Sequence, residues 1–143
     1  MKYVLREVSI RATREFEFIQ ISNAVRKCVV ESGITNGVAF VITEHTTTGI
    51  TINEGLPCVE NDIMDILDGI APADYSYSHD HYLSSYGTIG GNAPGHIKSL
   101  LTGNHCVLPV IEGEPVLGHA ADIYFAEYDG IKDRHYLVYV MGE

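Results

Sequence analysis

Three histidines, His45, His79 and His96, stand in short segments whose neighbours could direct an imidazole toward a metal ion or an anion. His45 follows Glu44 at the end of the apolar run Gly37 to Thr43. A polar group just past a buried strand has a rigid support, so His45 is either a ligand or a capping residue held by a backbone carbonyl. His79 and His81, in Tyr77-Ser78-His79-Asp80-His81, lie two apart. In an extended segment both rings project to one side and could share an ion, with Asp80 as a further ligand or as the acceptor that orients a ring. The plainer reading is an exposed loop. His96 falls in the first turn of a helix opened by Pro94, where the positive end of the helix dipole disfavours imidazolium and leaves a neutral ring suited to ligation. Lys98 either shares that pocket or faces solvent. Glu127 and Arg134 flank the Asp129-Gly130 turn and can pair across it, as a structural ion pair or as a carboxylate base and a phosphate-clamping guanidinium. His105, His119 and His135 lie in strand-like segments and read as structural. With no Walker A loop, His-Glu-x-x-His, nucleophile elbow or dinucleotide fingerprint, these residues define a candidate metal or anion site and no reaction.

The elements that must position them follow from periodicity. Residues 3 to 10 alternate as a strand. Ile21, Ala24, Val25, Cys28 and Val29 have the spacing of an amphipathic helix, which stops at Ser32-Gly33, where glycine takes the left-handed cap. Gly37 to Thr43 is rich in β-branched residues and reads as a strand buried on both faces. Ile50 to Asn53 resumes β character. Pro57 opens a second helix striped by Val59, Ile63, Ile66 and Leu67, with Glu60, Asp62, Asp65 and Asp68 on its other faces. Ala71 to Ala93 shows little periodicity, and a segment of that length is usually functional or disordered; its tyrosines argue for function. Asn92 is available to satisfy the free amides of the Pro94 helix, which Gly103 closes. The remainder reads as a meander: Cys106 to Val110, a Glu112-Gly113-Glu114-Pro115 turn, Val116 to Glu127, the Asp129-Gly130 turn, and Arg134 to Met141.

This pattern is one α+β domain over residues 1–143, with mainly antiparallel sheet and two to three helices. A chain of 143 residues buries about 68–70% of its unfolded surface without an external staple. Nine basic against nineteen acidic residues give a net charge of −10, a field that repels phosphate backbones and argues against nucleic acid as a partner. A small anion is still compatible with it, because local cations act within a Debye length of about 8 Å. No apolar run approaches the roughly 18 residues that span a bilayer. The N-terminus reaches charge early and lacks an apolar leader pattern, and the three widely spaced cysteines read as buried thiols in a reducing compartment. The expected location is the cytoplasm.

The string Glu44-His45-Thr46-Thr47-Thr48-Gly49-Ile50-Thr51-Ile52-Asn53-Glu54, then Asp62, then Tyr77-Ser78-His79-Asp80, resembles the YjbQ family, also called UPF0047. Asn92-Ala93-Pro94-Gly95-His96-Ile97-Lys98-Ser99 resembles that family's signature segment, and Leu108-Pro109-Val110, Leu117-Gly118, Glu127 and Arg134 follow in the expected order. The resemblance implies an α+β fold assembled as a homotrimer. It also implies a metal or anion site built from the three histidine motifs near a subunit interface, with His79 favoured over His81 and with Glu54 and Asp62 beside His45. The activity it implies is a secondary thiamine-phosphate synthase reaction, in which a hydroxymethylpyrimidine diphosphate joins a thiazole phosphate. In one place the chain departs from the family: His119-Ala120-Ala121 stands where relatives commonly carry Thr-Trp-Gln.

Three functions are therefore expected to compete. The first is that transferase, in which a divalent ion (zinc, manganese or magnesium) acts with Arg134 and Lys98 on the departing diphosphate. Three imidazoles suit zinc, manganese, iron or nickel better than magnesium. The second is a metal-dependent hydrolase of a small phosphorylated or lactone substrate, with Glu54 or Glu127 as base. The third is a non-catalytic module that binds metal or a small molecule.

Overall fold

The computed structural model describes residues 1–81 and 91–143. In chain order the elements are β1 (Lys2–Arg11), β2 (Glu17–Gln20), α1 (Ser22–Ser32), β3 (Asn36–Ile42), β4 (Thr48–Glu54), α2 (Pro57–Ile70), α3 (Ser78–His81), α4 (Ala93–Thr102), β5 (His105–Ile111), β6 (Glu114–Pro115), β7 (Ala121–Glu127) and β8 (Asp133–Gly142). They form a five-stranded sheet in the order β1-β8-β3-β5-β6 and a three-stranded sheet in the order β2-β7-β4. All the pairings are antiparallel. The α+β expectation is met, with four helices among the described residues, α3 being a single turn.

The apolar run from Gly37 becomes an interior strand because both its edges are hydrogen-bonded, to β5 and to β8. Its side chains alternate: Ala39 and Val41 are buried, while Phe40 is half-buried and packs on Tyr139 with ring centroids 6.3 Å apart. It is therefore fully covered on one face, not two. The core is shared by both sheets and by α1, which turns Val25, Cys28 and Val29 into it. Burial of Val25 and Val29 contributes about 1.5–3 kcal/mol each. Gly33 caps α1 at φ 69°, and its N–H donates to the Val30 carbonyl.

The C-terminal half is not a meander. β5 and β6 form a hairpin through Glu112 and Gly113, both at positive φ. Residues 116–120 then leave the first sheet, and β7 joins the second, between β2 and β4. The expected strand from Val116 thus begins only at Ala121, after a turn in which the Ala121 amide donates to the Gly118 carbonyl. β8 returns to the first sheet. Sequence alternation records which face of a strand is apolar but not which sheet the strand joins.

The α2 helix departs further. None of its residues is buried, and Ile66 and Ile70 are 67% and 57% exposed. Cys58, at its start, is exposed rather than buried. Cys28 is buried as expected, and burial pushes the half-buried Cys106 thiol up to about 11. Of the aperiodic segment, α3 forms one helical turn, and residues 82–90 lie outside the described residues. Among the described residues no helix is long and apolar enough to cross a membrane.

What matters for the site is that α4 lies across the start of β4. A Cβ on Gly49 would stand 2.5 Å from Thr102 Cγ2, and one on Gly95 would stand 2.8 Å from the Tyr128 carbonyl oxygen. Only glycine lets the helix approach so closely. Ser99 Oγ then donates to the Thr48 carbonyl at 2.6 Å.

Candidate functional site

The start of β4 and the end of β7 are paired, Thr48 opposite Glu127. Glu127 is fully buried, and its carboxylate takes two hydrogen bonds from Arg134, Nε to Oε1 and Nη2 to Oε2, each 2.8 Å. Arg134 Nη2 also donates to Thr47 Oγ1 at 2.8 Å, and the Asp129 amide donates to Glu127 Oε2 at 3.1 Å. Both charges are thus taken out of water only because each is matched and hydrogen-bonded. The pairing expected across the turn is present in its structural form.

His45 lies beside this pair. Its Nε2 accepts the main-chain N–H of His135 at 3.1 Å, so the neutral ring carries its proton on Nδ1. The ring of His135 meets that of His45 at a centroid distance of 4.7 Å, and its Nε2 lies 3.1 Å from Glu44 Oε2. Burial lowers the His45 pKa, and the Arg134 and His135 charges lower it further. Counted on from the β3–β8 partners Ile42 and Leu137, two further steps set Glu44 opposite His135. Once that pairing is known, the ladder itself finds His135, which reads as structural in the sequence.

His79 and His96 come together edge to face, with ring centroids 5.3 Å apart. Both rings have fixed tautomers. Asn92 Nδ2 donates to the Asp129 carboxylate at 3.0 Å, which turns Asn92 Oδ1 to His79 Nε2 at 2.8 Å. A carboxylate accepts only, so the amide is oriented and His79 donates from Nε2. Lys132 Nζ holds the same Asp129 oxygen at 2.5 Å. His96 Nδ1 lies 3.2 Å from the Thr46 carbonyl and donates to it. Among the described residues, the lone pairs left without a partner are therefore His79 Nδ1 and His96 Nε2. Each ring has its second nitrogen tied to an acceptor, the arrangement found behind metal-ligating histidines.

His96 separates two cavities. One, of about 580 Å³, is shared with Tyr77, Ser78 and His79; the other, of about 510 Å³, is shared with Thr43, Glu44 and His45. Among the described residues no three His, Cys, Asp or Glu side chains are gathered closely enough to hold a metal ion together.

The remaining expected residues are placed elsewhere. His81 is not parallel to His79: α3 is helical, so positions two apart diverge, and His81 Nε2 meets Ser76 Oγ at 2.8 Å instead. Asn92 makes no side-chain cap on α4, because its amide bridges His79 and Asp129. Lys98 faces neither solvent nor the histidines. It is 1% exposed, its Nζ pairs with Asp68 of α2, and it lies 4.4 Å from the centre of the Phe16 ring. Two helical positions turn a side chain by about 200°, which puts Lys98 behind His96. Glu54 and Asp62 are exposed. Glu54 ends β4, six residues beyond Thr48, about 20 Å along the strand, so one chain cannot set it beside His45. His119 and Ala120 are exposed near that same end, where Ala121 pairs with Glu54. Asp129, Thr46 and Thr47, which orient the site, carry no signal in the sequence beyond their closeness to it.

Two antiparallel sheets, an exposed second helix and histidine-lined cavities on either side of α4 define the class: a small α+β protein with an oriented imidazole pair. The chain belongs to the YjbQ/UPF0047 family, whose profile, described as UPF0047 protein YjbQ-like, matches residues 6–143. A UPF0047 protein of Methanothermobacter thermautotrophicus is 36% identical, over 100% of this chain and 95% of that one. YugU of Bacillus subtilis is 34% identical, over 97% and 100%. Among solved structures, a YbjQ-like protein of unknown function from Sulfolobus solfataricus superposes with a TM-score of 0.91 at 29% identity, covering 99% of each chain. A Clostridium acetobutylicum member of the family gives 0.86 at 38%, covering 95% of this chain and 99% of that one.

Proposed function

We propose that this chain is a metal-dependent enzyme acting on a small phosphorylated molecule, with one divalent ion held between His79 Nδ1 and His96 Nε2. The observation that carries this reading is the pair of fixed tautomers, one anchored by Asn92 and one by the Thr46 carbonyl, which leaves two lone pairs on rings already in contact. Imidazole donors favour zinc or manganese over magnesium. Held by His79 and His96, such an ion would supply Lewis-acid chemistry toward a phosphoryl group and would make water more acidic there.

Hydrolysis of a phosphoester fits the side chains better than diphosphate transfer. Arg134 is bound to Glu127, and Lys98 to Asp68, so both cations expected to neutralise a departing diphosphate already have carboxylate partners. Glu127 is committed in the same way, so of the two carboxylates expected as base Glu54 is the one without that commitment, and it could reach the site only from a second subunit. A homotrimer would supply it. Apolar surface supports that assembly: Leu100, beside His96 in the 510 Å³ cavity, is 80% exposed, and Ile66 and Ile70 of α2 are exposed as well. The net charge and the absence of a spanning helix among the described residues suit a small-molecule enzyme of the cytoplasm.

The transferase is the second reading. Tyr77 lines the 580 Å³ cavity beside His79 and offers a ring on which a pyrimidine could stack. Tag-free protein incubated with zinc or manganese, a phosphoester panel and the two thiamine precursors separates the readings. Phosphate release that is lost on chelation and in His96→Ala is the expected result. Thiamine phosphate without ester hydrolysis would select the transferase, and stoichiometric metal without turnover would select the binding module.

A further inference from the structure

The metal reading uses one side of His96 and leaves the 510 Å³ cavity on the other side without a role. We propose that this cavity is an oxyanion subsite in which His45 acts as a neutral hydrogen-bond donor, through Nδ1–H, to a phosphoryl oxygen of the ligand, rather than as a third metal ligand. The assignment follows from one main-chain contact. Because Nε2 accepts the His135 amide, its lone pair is occupied and the proton must sit on Nδ1. Neither nitrogen is then free to coordinate, in contrast to His79 and His96, whose acceptor partners leave a lone pair bare.

The surroundings hold this state. The amide donor belongs to β8, where His135 pairs with Ser9 of β1 two residues beyond the last β3–β8 partner Leu137, so its position is set by the β1 ladder. His135 packs on His45 edge to face and is itself tied to Glu44. Burial is the largest cause disfavouring imidazolium at His45, and Arg134 and His135 act in the same direction while Glu127 and Glu44 oppose them. Among the described residues nothing accepts the Nδ1 proton, and the buried side-chain nitrogens and oxygens all have partners, so that N–H is open to solvent or ligand. A fixed neutral donor binds an oxyanion without the cost of creating a charge in a half-buried site.

The phosphoryl group is taken from the enzyme reading above, and the experiment keeps the two apart. Long-range imidazole correlations on the ¹⁵N-labelled full chain report each tautomer before anything is added; His45 is expected to carry its proton on Nδ1 and His79 on Nε2. Zinc should then shift His79 Nδ1 and His96 Nε2 and leave His45 in place, and inorganic phosphate should move the His45 Nδ1–H resonance. His45→Phe should weaken phosphate binding about 3- to 10-fold with zinc affinity unchanged. His45→Gln, whose amide can both accept from His135 and donate, should recover most of the loss. A proton on Nε2 of His45, a zinc response at His45, or unaltered phosphate affinity in folded His45→Phe would overturn the proposal. Silence of His79 and His96 toward zinc would instead remove the metal reading and leave the oxyanion result standing.

Discussion

The two ends of β7 are built differently. At the Glu127 end the buried polar side chains have partners: Glu127 with Arg134, Arg134 with Thr47, and Thr43 Oγ1 with Thr48 Oγ1 at 2.7 Å. At the Ala121 end, Glu54, His119 and Ala120 lie on the surface. One end is a preorganised frame around histidines, the other a surface that can take part only through another molecule. A side chain's proximity in sequence to the Glu44-His45 string is therefore a poor guide to its role, since Glu54 shares that string and lies at the opposite end of the strand.

The sharpest way to break this contrast is to remove one member of the buried pair. Arg134→Met should cost about 3–5 kcal/mol in denaturant unfolding, because Glu127 is then buried without its counter-charge, and replacing both residues by apolar ones should restore most of it. A loss below about 1 kcal/mol would mean that the frame is not locked. Asn92→Ala should lower divalent-metal affinity about 10- to 100-fold while the fold persists, since it frees the His79 ring without touching a donor atom. Titration of metal against variant and parent decides it.

Acid should reach the frame next. His45 is held below its usual value of 6.5, chiefly by burial. A histidine with a depressed folded pKa contributes stability that is complete above about 6.5 and is withdrawn as the pH falls toward the folded value. Unfolding free energy measured downward from pH 7.5 should drop in that window, and His45→Gln should flatten that part of the curve. The smallest effects belong to the other end: Glu54→Gln or Ala121→Gln should change stability by less than about 0.5 kcal/mol. A larger change would show that this end also carries part of the folded frame.

Much of this was legible in the residues. The α1 stripe and its Gly33 cap, the β3 run, the Pro94 helix and the Glu127–Arg134 pairing follow from periodicity and local chemistry, and they survive because nothing at long range opposes them. What was hidden depends on partners far apart in sequence. The turn of His81 away from His79 depends on α3 being helical, and the burial of Lys98 depends on Asp68 of a different helix. The tautomers of His45, His79 and His96 are set by a main-chain amide, an amide side chain and a carbonyl that composition does not mark. α2 has the pattern of a core helix but is only half covered in the single chain, with Ile63 and Leu67 half-buried and Ile66 exposed, because amphipathicity does not say whether the covering surface belongs to the same molecule.

The central claim is that His79 and His96 form a ligand pair, and calorimetric titration of tag-free, metal-stripped protein with zinc tests it most directly. One ion per chain is expected, lost in His79→Ala and in His96→Ala and retained in His45→Phe. Zinc binding that survives both alanine variants, or that depends on His45 instead, would contradict it.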